Sequence, residues 1–547
     1  MKKHFLLINT ILLLLVLSAC KKDFLDRQPT DALSQSTLFT DSSDVIAAIN
    51  GCYSGWNNPS FSGNQGWADA YNVYYMDACS DNLYSQYPWE GFQFYGNGTA
   101  TPGGIAPNGD GDNLWNYTTI QKCNWFLESV GSAPVDTALK LRTEGEARFI
   151  RVYQYFLMSQ LYGDVPLVTT TLTTAQADTS TRTPKAAITA FMLSELAAIA
   201  PNLPQSYTGS DVGRITKGAA LALRARIELY NQDWAACITD CQSVMQLGYS
   251  LFPNYTNLFR IQNEDNSEVI ADVEYQENID PNYTVGVMPS FSYGGWSSLD
   301  PLQSLVDAYE MSNGKTIDDP TSGYDPNNPY ANRDPRLAAT IVYPGELYPD
   351  ASGTPNYYDP LDASSSDFYN SGNNTSVTGY TVKKYTAVLS DFNNLFNTGL
   401  DAILIRYAEV LLTYAEAKIE SGQIDATVYT ALNQVRNRAG MPSVDQTVYN
   451  SQSTLRTLVR RERRVELALE GLRWFDIQRW QIGPQVMSGP VYGSRLGSVN
   501  PMTGALTLTA DSIKVETRVF NPAQNYLWPV PQSEIDIDKN LTQNAGF

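Results

Sequence analysis

The chain has 547 residues, enough for one large or two ordinary domains, and its 43% hydrophobic and 17% charged content is a globular balance. Thirty-seven Lys and Arg stand against 57 Asp and Glu, and the resulting formal charge of −20 argues against nucleic acid as a partner, because such a surface repels phosphate. The single histidine, His4, lies in the leader; once that is removed no imidazole remains for a Ser-His-Asp triad, a Cys-His pair, a His-ligated metal or a neutral-pH base.

Lys2 and Lys3 precede an apolar run from Phe5 to Leu17, too short for a bilayer span of about 20 residues. The run closes on Leu17-Ser18-Ala19-Cys20, which resembles a bacterial lipobox. Residues 1–19 are therefore expected to be a lipoprotein signal peptide, with Cys20 the lipidation site. Acyl chains contribute roughly 0.8 kcal/mol per buried methylene, and no later apolar run reaches spanning length. The mature chain, 20–547, is expected to be one domain tethered to a membrane and not inserted in it. Five cysteines follow Cys20: Cys52, Cys79, Cys123, Cys237 and Cys241. An odd count without CxxC points to buried free thiols and not to disulfides or zinc.

Asp41 starts a capped helix. Residues 53–111 then read as aromatic-rich loops with Gly, Asn and Pro interleaved. A helical scaffold is expected over about 112–250. Helices span 112–130 and 136–162, the latter with Ile150, Tyr153, Leu157 and Leu161 at helical spacing. A third runs from Pro184 toward Ala200. Gly218, Ala222, Ala225 and Leu229 form a small-residue stripe on the helix 214–230, and a partner helix follows from Asp233 to Gly248. This pairing resembles a degenerate tetratricopeptide unit. Residues 250–400 read as a loop-rich, partly β insertion, with Glu268 to Tyr275 strand-like. Helices resume over 401–480: one from Asp401 with Leu404, Ala408, Leu411 and Ala415 on one face, one over 425–438, and one over 453–480. Residues 481–547 read as an extended C-terminal strap. The predicted fold is mostly α, with tetratricopeptide-like repeats carrying an insertion that forms the ligand-binding face.

Residues 456–480 hold seven Arg against Glu462, Glu466, Glu470 and Asp476. Acids three or four positions from arginines are helix neighbours, so this reads as a structural ion network and not a phosphate site. Trp474, Phe475 and Trp480 read as packing residues. Gly314-Lys315-Thr316 lacks the first glycine of a P-loop, and Gly96-x-Gly98 lacks the third of a dinucleotide loop. No metal or cofactor site is expected. Asn108-Gly-Asp110-Gly-Asp112-Asn113 offers oxygens to calcium, but without a terminal Glu it reads first as a turn. Paired carboxylates, the hydrolytic chemistry that needs no histidine, stay open as a surface glycoside hydrolase.

Aromatics in irregular segments carry the clearest functional signal. Trp67, Tyr84, Trp89 and Tyr95 lie in the first loop region, and Tyr293 and Trp296 in the insertion. A flat ring stacks on a pyranose face while Asn, Asp and Ser bond its hydroxyls, so these six are the candidate ligand-binding residues.

Several motifs together resemble the SusD/RagB family of outer-membrane nutrient-binding lipoproteins. LSAC-KKDFLDRQPTD resembles its acylated start. Glu144 to Val168 resembles the helix ending in Tyr-Gly-Asp-Val-Pro, and GRITKGAALALRARIELYNQDW from Gly213 its repeat helix. Asp334-Pro-Arg336, IRYAEVLLTYAEAKIESG, NQVRNRAGMP, RRERRVELALEGLRWFDIQRW and the closing YLWPVPQSEIDIDKNLTQNAGF follow in order. Ala545 and Phe547 depart mildly from the pattern. The resemblance implies a helical body without catalysis, lipid-anchored on the outer face of the outer membrane. It implies a SusC-like TonB-dependent transporter as partner, over which the protein acts as a hinged lid delivering an oligosaccharide. Family members that feed peptide uptake keep an oligopeptide ligand open.

Overall fold

Side-chain caps open most of the long helices, because the first N–H groups of a helix have no internal acceptor. Asp41 caps α1 (Ser42–Tyr53). An uncapped α2 (Thr118–Ser129) precedes α3 (Thr137–Tyr162), which Asp136 caps. After α4 (Lys185–Ile199), Thr216 caps α5 (Lys217–Tyr230) and Asp233 caps α6 (Trp234–Met245). The uncapped α7 (Tyr407–Glu420) is followed by α8 (Ala426–Arg438), capped by Asp425, and α9 (Gln452–Glu466), capped by Ser451. The last long element is α10 (Arg473–Trp480). The computed structural model describes residues 39–55, 70–103, 114–386 and 388–547.

Consecutive helices are neighbours. α3 lies against α2 and α4, α4 against α5, α5 against α6, α6 against α7, and α7 against α8 and α9, a tetratricopeptide-like stacking order. Ala222, Ala225 and Leu229 of the small-residue stripe are buried. Cys52, Cys79, Cys123, Cys237 and Cys241 are buried free thiols. No helix among the described residues is long and apolar enough to cross a membrane.

Among the described residues the strands form five separate two-stranded antiparallel sheets. β1 (Leu83–Ser85) pairs with β3 (Leu299–Pro301), and β2 (Val269–Val273) with β8 (Ala402–Arg406). β4 (Ile341–Val342) pairs with β7 (Thr381–Val382), and β5 (Leu347–Pro349) with β6 (Pro355–Tyr357). β9 (Gly489–Val499) and β10 (Leu506–Arg518) make a long hairpin.

Three readings of the sequence change here. Residues 402–406 are strand and not helix: all five are buried against β2, and helix begins only at Tyr407. A fully buried segment with Ile403 and Ile405 at alternate positions follows its pairing partner over local propensity. The helix expected over 453–480 breaks between Glu466 and Arg473, where Leu469 and Gly471 have φ of 64° and 72°. A Cβ at Gly471 would lie 2.8 Å from the Val73 carbonyl, so the close approach requires glycine. The break frees the Leu469 amide to donate to Asp77 at 2.7 Å. The C-terminal strap contains the β9–β10 hairpin. Beyond it the chain returns to α3, with the Trp528 amide donating to the Leu161 carbonyl at 2.7 Å.

The arginine-rich helix is a structural network, but its partners come mostly from other elements. Glu462 accepts from Arg336 and Arg436, Glu466 from Arg336, Arg406 and Arg438, and Glu470 from Lys384 and Arg406. Arg461 reaches Glu310, and Arg464 and Arg473 share Asp81. Arg479–Asp476 is a pair at helical spacing. The network ties α9 and α10 to the insertion and to the 76–82 segment. Trp474 and Phe475 are buried; Trp480 donates its indole N–H to Glu416 at 2.7 Å.

Candidate ligand-binding face

The β1–β3 pairing brings the two aromatic-rich loops together. Tyr84 sits opposite Asp300 and Ser85 opposite Leu299. The Gln86 amide extends the pairing by donating to the Ser298 carbonyl at 3.1 Å, and its side chain donates to the carbonyls of Trp296 and Ser297. The Tyr87 hydroxyl donates to the Trp296 carbonyl at 3.2 Å and reaches the Asn374 side-chain oxygen at 2.5 Å. Pro88 starts a short turn that brings Trp89 back over Tyr87, their rings stacked at 4.5 Å and 18°. Trp89 remains 59% exposed. Glu90, at the end of the turn, is buried; it accepts from the hydroxyls of Tyr75 and Ser85 and anchors the loop.

Trp296 is half-buried. Its ring lies 4.9 Å from Phe396 and 5.8 Å from Tyr283, and Tyr283 and Phe396 are themselves 4.9 Å apart. Phe291 stands 45% exposed in the same loop. Aromatic rings from three separate segments thus line one region with the Asn374 amide at its edge, and these groups stack and hydrogen-bond neutral polyols.

Of the six candidates, Trp89 and Trp296 meet in this region through Tyr87. Tyr84 is half-buried on β1, its hydroxyl donating to Gln93 at 3.3 Å; burial, with Glu516 and Asp300 adding, pushes its phenol up to about 12. Two candidates are corrected. Tyr95 is 4% exposed and stacks on Trp528 at 3.6 Å, so its face is spent on the core. Tyr293 is 1% exposed, stacks on Tyr348 at 4.5 Å and donates its hydroxyl to the Thr386 carbonyl at 2.6 Å. Trp67, Cys20 and the loop Asn108–Asn113 lie outside the described residues.

Tyr87, Tyr283, Phe396 and Asn374 were missed by reading the sequence alone. Tyr87 had a usable signal: in Tyr87-Pro88-Trp89 a proline turn brackets two rings. Asn374 had none, since its role depends on a contact with a residue 287 positions away.

The carboxyl groups acting electrostatically on Tyr87 are Asp300 and Glu90. Asp300 is fully buried, accepts from the Val377 amide at 2.9 Å, and burial holds its carboxyl well above the ordinary range. Both are turned inward, so neither is presented to a ligand on the aromatic face. Among the described residues, no group of three or more His, Cys, Asp or Glu is gathered to hold a metal ion.

Comparison with known proteins agrees with the architecture. The model of the SusD family matches residues 257–547, and a second family model, described as starch-binding associating with outer membrane, matches 23–229. SusD-like protein P25 of Formosa agariphila is 26% identical over 504 residues, covering 87% of this chain and 90% of its own. The starch-binding protein SusD of Bacteroides thetaiotaomicron is 25% identical over 471 residues, covering 78% and 76%. The crystal structure of a SusD-like carbohydrate binding protein from Bacteroides fragilis superposes with a TM-score of 0.81 at 30% identity, covering 92% of this chain and all of that one.

Proposed function

Because this chain belongs to the SusD family, we propose that it is a cell-surface glycan-binding lipoprotein that captures an oligosaccharide and delivers it to a SusC-like TonB-dependent transporter in the outer membrane. The observation that carries this reading is the Trp89–Tyr87 stack: a largely exposed indole backed by a second ring and tied to the Trp296 loop. A rigid, half-desolvated aromatic face suits the apolar side of a sugar ring and leaves the bonds of that sugar untouched. The carbohydrate-binding and starch-binding names of its relatives support the same ligand class. Anchoring through an acylated Cys20 accords with the lipobox in the sequence and with the outer-membrane description of the second family model.

Incubating the mature chain with a panel of polysaccharides tests this. Retention on one or more glycans without the appearance of new reducing ends is expected. Steady release of reducing ends identifies a hydrolase instead, and competition by peptides but not glycans identifies an oligopeptide binder.

A further inference from the structure

A cavity of about 290 Å³, lined by none of the residues of the aromatic face, lies between the 205–216 connection, the residues after α6 and β2. Asp272 of β2 lines it and is only 7% exposed. No hydrogen-bond donor from another described residue reaches its carboxylate; the charges acting on it are those of Asp265, Glu274 and Glu264. Asp401, just before β8, faces Asp272, Glu264 and Glu274 in turn. Gly213 packs so closely on Glu274 that a Cβ there would overlap its carboxylate, at a φ of 85° that favours glycine. One cation, Arg214, also lines the cavity and acts on Glu274; its guanidinium pairs with Asp211 at 2.7 Å and Glu146 at 3.1 Å. Tyr207 and Tyr249 line the same cavity. Their hydroxyls are engaged by the Ile215 carbonyl and by Thr216, both at 3.2 Å.

A buried carboxylate with no hydrogen bond beyond its own backbone amide is costly, and the cost is relieved by a proton or by a bound cation. Bare metal is the poorer match, since the described residues gather no set of three metal-type ligands. Organic cations need less: one carboxylate for the charge, acidic neighbours for attraction, and aromatic walls. We propose that this cavity is a binding site for an organic cation, an alkylammonium or guanidinium group, whose charge rests on the Asp272 carboxylate with Tyr207 and Tyr249 as walls. The exposed acid Asp265, which also lines the cavity, gathers the cation at the rim.

Burial raises the Asp272 carboxyl well above the ordinary range, Glu264 to about 7 and Asp401 to about 10. Cation uptake therefore expels protons, and affinity rises with pH.

Calorimetric titration of the mature chain with n-butylammonium, n-propylguanidinium and an N-acetylated, C-amidated Ala-Arg-Ala peptide tests the site. Saturable binding by at least one probe is expected, with proton release and about tenfold tightening between pH 6 and pH 8. Tighter binding of the peptide assigns the cation to a polypeptide side chain, and tighter binding of the small probes assigns it to a free amine. Asp272→Asn is expected to weaken binding about tenfold or more. Asp265→Asn, at the exposed rim, is expected to weaken it severalfold without touching the core. Absence of saturable binding by all three probes, unchanged binding by both variants, or Asp272-dependent binding of calcium in their place overturns the proposal.

Discussion

The phenol of Tyr87 donates to the backbone carbonyl of Trp296 across 3.2 Å and 209 positions of sequence. With its contact to Asn374, this hydroxyl joins three segments of the candidate face. Tyr87→Phe keeps the ring that supports Trp89 and removes only the oxygen. A net hydrogen bond is worth about 0.5–1.5 kcal/mol, so glycan affinity is expected to fall about threefold to tenfold while the fold is retained. Titration calorimetry beside circular dichroism checks this, and wild-type affinity in the variant would show that the hydroxyl does not position the site.

Trp89 and Tyr95 lie six positions apart and are expected to respond in opposite ways. Trp89 is 59% exposed, and exposed substitutions usually change stability by no more than about 0.5 kcal/mol. Trp89→Ala is therefore expected to leave urea unfolding unchanged and to weaken glycan retention about tenfold, from lost stacking and buried area. Tyr95→Ala removes a buried ring stacked on Trp528 and is expected to cost about 3–5 kcal/mol of stability. Equal effects of the two on binding, with equal unfolding curves, contradict the assignment.

Stability is expected to fall at both ends of the pH range, for two different sets of carboxyl groups. Arg438, Arg406 and Arg336 hold Glu466 well below its ordinary value, and Arg464 and Arg473 hold Asp81 at about 2, both against the opposing effect of burial. That stabilisation is fully present above the unfolded values near 4 and is lost as pH falls through the depressed ones. Glu466 draws its three guanidinium partners from outside its own helix. Glu466→Gln, which leaves those buried groups short of a charge, is expected to cost about 3–5 kcal/mol at pH 7 and less below pH 4. Burial and like charge raise Glu264 to about 7 and Asp401 to about 10. Their contribution is fully present below the unfolded values near 4 and is lost as pH rises through 7 and toward 10. Asp401→Asn keeps an oxygen for the Tyr275 amide and is expected to flatten the fall between pH 5 and pH 9. Urea unfolding of the wild-type chain and the two variants across this range decides both limbs.

Local chemistry determined much of this protein from sequence alone. Caps and 3.6-residue spacing place α3, α4 and α6 within a few residues, because both act over one or two turns. The single histidine, His4, and the ordered family motifs are likewise properties of the string itself. Tertiary structure decided the rest. It made 402–406 a strand by pairing it with β2, broke the last long helix where Val73 crowds Gly471, and gave the arginines partners more than a hundred positions away in Arg336–Glu462 and Arg461–Glu310. It also sorted the aromatics: Trp89 faces solvent while Tyr95 and Tyr293 are in the core, although all three sit among similar loop residues. Burial of a ring depends on what the rest of the chain stacks against it, and Trp528 and Tyr348 are too distant in sequence for any local pattern to announce them.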